Sequence, residues 1–361
     1  MAIALAIAVW AAAPLAAQER TVHVERRGGG EGLRVEATGE VDFTDDDRAV
    51  ASVAPGGRLE IEQWRGGEPR RRVVWTNGGG GVREAYFVDD RPARPDAAAR
   101  AWIERMLVEA VRESGVGAER RVARIRARRG TEGVLEEIAR IRGDGAKRLY
   151  YTALLRTPGL GAGETARVLR HAGERIGSDG EKRLALRTVL DRPSLSPAEL
   201  TAFYEAATRI GSDGEKALLL RDAARRRGLA DARAADAFFR TAETIGSDGE
   251  KAQVLRQVAR EAGVRDGFFR VADTVGSDGE RAQVLVTVLR LDGVRPAAAA
   301  AALRSAARIG SDGEKARVLR STPVALLDQA EVRAAYRAAL RTIGSDGERE
   351  VAARHLERSL R

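Results

Sequence analysis

The chain has 361 residues, 43% hydrophobic and 32% charged, a composition that folds in water and a length sufficient for two domains. It contains no cysteine, which excludes disulfides and thiolate metal sites. The formal net charge of +9 rests on arginine, because lysine occurs only at Lys147, Lys182, Lys216, Lys251 and Lys315. Acidic residues are interspersed throughout, so the excess reads first as solvated helix faces, second as attraction to an acidic partner or an anionic envelope surface, and no nucleic acid is expected.

Residues 2 to 17 form an uncharged apolar run that ends in small residues just before Gln18-Glu19-Arg20. This pattern predicts a signal peptide over 1–17, and the run is short for a membrane span, which takes about 20 residues. Export, to the periplasm, is the expectation. Beyond an uncleaved N-terminal anchor, no integral membrane span is expected.

From 18 to 95 the pattern changes to period-two alternation with glycine-rich turns, which predicts a small antiparallel β-meander. Leu33, Val35, Ala37, Val41 and Phe43 keep one face, and Leu59 and Ile61 do the same after Pro55-Gly56-Gly57. Val73 to Thr76 and Val82 to Val88 complete it, with Gly66-Gly67 and Gly78 to Gly81 as connections. A sheet this small needs a helix on one face. Asp96 to Ser114 supplies it, with Trp102, Ile103, Met106, Leu107, Ala110 and Val111 on one stripe and Gly115 as the stop. Residues 96–140 are read as linking helices and a degenerate first repeat. Its two helices run over Ala118–Arg129 and Thr131–Ile141, carry Val134, Leu135, Ile138 and Ile141, and dock the sheet onto the C-terminal region.

That region, 141–361, is repetitive. The motif Ile176-Gly177-Ser178-Asp179-Gly180-Glu181-Lys182 returns at Ile210, Ile245, Val275, Ile309 and Ile343, with a worn copy at Ile141. The period is 30–35 residues, the mark of a solenoid. Ser-Asp-Gly-Glu fits a capping box, so each copy starts a helix. The caps are Ser178 and Glu181, Ser212 and Glu215, Ser247 and Glu250, Ser277 and Glu280, Ser311 and Glu314, and Ser345 and Glu348.

Apolar Val254, Leu255 and Val258 then recur at helical spacing, and the first helix stops at a glycine such as Gly228, Gly263 or Gly293. The second helix carries Phe203, Tyr204, Ala207 and Ile210 in one unit, and Phe238, Phe239, Ala242 and Ile245 in the next. Where readable it has its own cap, Ser196-Pro197-Ala198-Glu199. The unit from Ile245 is five residues short, which predicts a shortened second helix or turn. The fold class is therefore mainly α: about seven two-helix repeats behind a small β domain, closed by a polar capping helix from Ser345.

Each motif copy offers two carboxylates, yet calcium wants about 6–8 oxygens from one loop, and here the carboxylates have capping work. No metal and no cofactor is expected. At helix-packing distance, Asp and Lys of neighbouring copies are expected to form an alternating charged stripe that a partner could recognise. His23, His171 and His355 are far apart and belong to no helical zinc motif, and no nucleophile elbow or phosphate loop is present. An enzyme is not expected. The tight basic cluster Arg225-Arg226-Arg227, with the exposed positions of the second helices, is the candidate partner contact.

The motif with its Val-Leu stripe resembles the Ser-Asp-x-Glu-Lys repeats of exported or extracytoplasmic regions of bacterial proteins, including C-terminal regions of membrane metallopeptidases related to the beta-lactam sensor family. More broadly it resembles HEAT and tetratricopeptide solenoids. The resemblance covers Ile141 to Arg361, and the peptidase zinc helix has no counterpart in this chain. It implies a recognition or regulatory module. The expected function is a non-enzymatic scaffold that binds a protein or peptide of the envelope, with a self-assembling structural protein as the alternative.

Overall fold

The computed structural model describes residues 22–28 and 31–358, with side chains from Glu31 onward. The expected signal peptide over 1–17 lies outside the described residues. Contacts group the chain into two units, Met1–Arg124 and Ile125–Arg361.

Among the described residues the first unit holds eight strands: β1 (Val22–Gly28), β2 (Glu31–Thr38), β3 (Val41–Phe43), β4 (Val50–Val53), β5 (Arg58–Trp64), β6 (Arg71–Asn77), β7 (Val82–Val88) and β8 (Arg91–Ala93). Six make an antiparallel sheet in the order β1-β2-β5-β6-β7-β8, while β3 and β4 pair as a separate ribbon. Val41 and Phe43, expected on one face with Leu33, Val35 and Ala37, stand in a strand separate from theirs. The chain turns at Gly39, whose φ of +72° suits glycine, and the β3–β4 ribbon departs before β5 returns to pair with β2.

Val41 and Phe43 still reach the same core. Val35 lies opposite Ile61, which lies opposite Val73, so one face of the sheet is apolar. Helix α1 (Ala97–Ser114) covers it with the predicted stripe, from Trp102 to Val111, all buried. Asp96 caps α1 through its side chain, accepting from the Ala99 N–H at 2.8 Å, and Gly115 ends it at φ +71°. Asp47, itself at positive φ, is held by Arg121 at 2.6 Å and Arg124 at 2.5 Å.

Helix α2 (Ala118–Ala139) is interrupted at Gly130, φ +65°, between the two predicted helices. The helix pairs then run α3 (Asp144–Arg156) and α4 (Ala162–Arg175), α5 (Asp179–Arg187) and α6 (Pro197–Ala207), α7 (Asp213–Arg227) and α8 (Ala232–Glu243). They continue with α9 (Asp248–Glu261) and α10 (Phe268–Ala272), α11 (Asp278–Leu289) and α12 (Pro296–Ala306), and α13 (Asp312–Arg320) and α14 (Ala330–Leu340), and close on α15 (Asp346–Arg358). First helices neighbour first helices and second helices neighbour second helices, which makes the region an α-solenoid. The missing five residues come out of α10, which is only five residues long.

Between the two rows runs the core. Phe203, Tyr204, Phe238, Phe239, Phe268 and Phe269 form a chain of edge-on rings, with centroids 5.2–6.2 Å apart across three repeats. Such contacts add about 0.5–1.5 kcal/mol per pair beyond burial. Where α4 meets α6, Gly173 lets the backbones close up: a Cβ there would sit 3.2 Å from Ala206.

Candidate functional site

The motif builds a ladder along one edge of the solenoid. Each motif serine takes its N-cap position and accepts the N–H three residues on, at 3.5 Å for Glu181 and Glu348 and 3.4 Å for Glu215, Glu250, Glu280 and Glu314. The second half of the predicted capping box does not form at these six positions. The serine N–H is taken instead by the aspartate of the preceding copy.

Asp144 accepts from Ser178 at 2.7 Å, and Asp179 accepts from Gly211 and Ser212 at 2.9 and 2.7 Å. Asp213 does the same for Gly246 and Ser247, at 2.9 and 2.7 Å. Asp248, Asp278 and Asp312 repeat the pattern toward Ser277, Ser311 and Ser345, at 2.7, 2.8 and 2.8 Å. The physical reason is position. Asp is the first residue of each helix and projects toward the next repeat, so it reaches two N–H groups that would otherwise be open at that helix start.

This explains the motif's first glycine. A Cβ on Gly211, Gly246 or Gly310 would lie 3.0–3.2 Å from the aspartate oxygen of the preceding copy. For Asp278 and Asp312, the backbone N–H groups of Gly310 and Ser345 respectively are the main cause holding the carboxyl below its usual range. For Asp144 and Asp179 burial pushes upward, but the donated hydrogen bonds outweigh it and the net direction is down.

The glutamates, released from the box, pair across repeats or along their own helix. Glu181 meets Arg148, Glu215 meets Arg183, Glu280 meets Arg256 at 2.8 Å, and Glu314 meets Arg317 at 3.1 Å. Ala217 stands where Arg148 and Arg183 stand in earlier copies, and Glu250 is left with a buried oxygen lacking a partner.

The lysines correct a second expectation, since they form no outward stripe. Lys182, Lys216, Lys251 and Lys315 are buried. Each ammonium donates to a carbonyl at the C-terminal end of its unit's second helix: Arg209 at 2.7 Å, Thr244 at 3.3 Å, Thr274 at 3.4 Å and Thr342 at 2.7 Å. A cation there also meets the negative end of the helix dipole. Arg281 replaces lysine in its copy and reaches the Arg308 carbonyl at 3.3 Å. Lysine thus fastens a repeat internally, and aspartate fastens it to the next.

The candidate contact arginines sit at the C-terminal end of α7. Arg225 and Arg226 both donate to Asp222, at 2.5 and 3.0 Å, and Arg226 also reaches Asp191 at 2.9 Å. Arg227 donates to the carbonyls of Leu190, Arg192 and Pro193 in the preceding repeat. Arg225, with 61% of its side chain exposed, and Arg226 remain open to solvent, while Arg227 is half-buried.

His171 and His355 both hydrogen-bond within the fold. The Nδ1 of His171 is 2.5 Å from the Tyr151 hydroxyl, and burial followed by Arg175 lowers its pKa. His355 donates from Nε2 to the Thr322 carbonyl at 2.9 Å. The side chain of His23 lies outside the described residues. Among the described residues, no group of three or more His, Asp or Glu side chains is placed to hold a metal, and no helix is long and apolar enough to cross a membrane.

On the outer face of the second helices, Arg170 of α4, Thr201 and Glu205 of α6, and Arg233, Asp236 and Arg240 of α8 line an open recess of about 470 Å³. Arg240 pairs with Asp236 at 2.9 Å, and Arg270 links to Glu243 at 3.3 Å. The sequence placed these residues on exposed positions but could not show that three repeats combine them. The recurrence of Gly and Asp at fixed motif positions was the signal that could have revealed the inter-repeat ladder.

The fold defines the chain as an α-solenoid preceded in sequence by a small antiparallel β unit. No protein-family model matches the chain, and no curated protein or solved structure matches it.

Proposed function

We propose that this is an exported, periplasmic, non-enzymatic scaffold of a bacterial envelope, whose solenoid binds another protein or peptide. The observation that supports this reading most is the recess across α4, α6 and α8. It draws charged and hydroxyl side chains from three successive repeats onto one open face, the form of extended surface on which repeat proteins bind partners. The titratable groups of the motif are meanwhile occupied in holding repeats together.

The side chains of Arg170 and Arg233 make no hydrogen bond or ion pair among the described residues, so they are available to a partner's carboxylates or carbonyls. The test is crosslinking of the full chain in envelope extract beside R170E/R233E. The scaffold reading expects a discrete crosslinked partner that the double variant loses. A monomer that crosslinks to no envelope protein would sink it.

A second reading is self-assembly, which predicts light scattering that grows with concentration.

A further inference from the structure

We propose that the turn edge of the solenoid between α9 and α12 carries a docking groove for a short acidic peptide segment, read by Arg260, Arg265, Arg290 and Arg295. The proposal rests on the scaffold reading and names a place and a chemistry for binding.

The groove begins in the sequence with the five-residue shortfall. Helix α10 has five residues where α6 has eleven and α8 twelve, so it lacks the N-terminal turns that its neighbours possess. Beside the start of α12 this leaves an open groove of about 620 Å³, within the range of about 300–1,000 Å³ common for ligand sites. Small residues, Ala259, Ala262, Gly263, Gly293 and Ala298, line it and admit the close approach of a main chain.

The charged lining is one-sided: four arginines and one carboxylate, Asp292. Arg260 and Arg290 are exposed, and their side chains make no hydrogen bond or ion pair among the described residues. Arg265 and Arg295 donate only to neutral acceptors, the carbonyls of Ala262 and Val264, each at 3.2 Å. The first turn of α12 has neither a capping side chain nor an acidic residue, so its dipole adds positive potential of the same sign. Guanidinium forks match carboxylates in bidentate geometry, which selects Asp and Glu side chains.

The neighbouring repeats show why the occupant is short. On the same edge, Asp222 and Asp191 neutralise Arg225 and Arg226, and Glu199 holds Arg192 at 2.8 Å. Toward α5 and α7, free positive charge is therefore reduced by the chain's own carboxylates, and at this groove it is not. A nucleic-acid backbone would need it at regular intervals along many positions.

The test is fluorescence anisotropy of the full chain with a labelled peptide of alternating Glu and Gly, its Gln counterpart and a short single-stranded oligonucleotide, at physiological ionic strength. We expect the Glu peptide to bind and the Gln peptide to bind about tenfold more weakly or worse, as loss of charge-assisted bonds implies. R260A/R290A should weaken the Glu peptide by about tenfold with its thermal unfolding unchanged. R304A/R341A, which removes the same charge from exposed positions elsewhere, should leave binding intact.

Equal binding of the two peptides, or no effect of R260A/R290A, overturns the proposal. Tighter binding of the oligonucleotide through the same arginines also overturns it, in favour of a polyphosphate site. Should R260A/R290A still crosslink the envelope partner while no Glu peptide binds, the groove falls and the scaffold reading stands. Absence of any crosslinked partner for the unaltered chain fails the scaffold reading itself.

Discussion

The carboxylate of Asp213 accepts the backbone N–H of Ser247 at 2.7 Å, reaching from the first residue of one repeat to the N-cap of the next, 34 residues on. The bond is charge-assisted, and it recurs along the whole edge from Asp144 to Asp312. In a quasi-linear fold the coupling between neighbouring repeats decides how cooperatively the array unfolds.

Asp213→Ala should therefore cost about 1.5–3 kcal/mol, the usual scale for a hydrogen bond to a charged group. It should also broaden the urea transition, because the repeats on either side of Ser247 lose a coupling. Equilibrium urea unfolding followed by circular dichroism reads both quantities. A midpoint and slope equal to those of the unaltered chain would remove the ladder from the account of stability.

The ladder gives stability a definite pH dependence. The carboxyls of Asp144, Asp179, Asp278 and Asp312 lie below their ordinary value in the folded chain. The unfolded chain therefore binds more protons as pH falls, and stability from these groups is present above a pH of about 4 and lost as pH drops through the lowered folded values. Thermal melts should be nearly flat in this contribution from neutrality down to about pH 5 and decline steeply below about pH 4.

The two glycines of each motif should respond in opposite directions. Nothing lies within 4 Å of a Cβ built on Gly214, Gly249 or Gly313, and none of the three has positive φ. Each Gly→Ala change there should stabilise by about 0.5–1 kcal/mol through helix propensity and the loss of unfolded-state freedom. Gly246→Ala, whose Cβ would lie 3.2 Å from Asp213, should destabilise. Paired melting temperatures of G249A and G246A test the contrast.

In the β unit, Asp47 is the counter-charge for Arg121, whose side chain is only 6% exposed. Asp47→Asn keeps a residue that tolerates the positive φ of this position but removes the charge. Removing this charge-assisted partner from the buried guanidinium should destabilise the unit by about 1.5–3 kcal/mol. Trp102 and Trp75 lie in the core of this unit, so near-ultraviolet circular dichroism during unfolding would report the loss there.

The arginine cluster shows where reading by sequence stops. Three consecutive arginines at 225–227 stand out in the chain, but two of them converge on Asp222 and the third is consumed by main-chain carbonyls of the preceding repeat. The arginines at 260 and 290 are unremarkable in sequence, and only the packing of α9 against α11 brings them to one groove without partners. Free charge depends on what lies across the repeat boundary, and sequence spacing does not carry that information.

The local codes were sufficient for the elements. Serine caps, glycine stops and apolar stripes act within one or two turns of chain, so the helix starts at Asp179, Asp213 and Asp248, the stripe of α1 and the shortening before Val275 could all be read directly. Tertiary structure decided what depends on groups about thirty residues apart: aspartate rather than glutamate on the serine N–H, buried lysine on the second helix's carbonyls, and β2 beside β5 instead of β3. A backbone N–H at a helix start will accept the best-placed oxygen available, and only the stacking of one repeat on the next determines which oxygen that is.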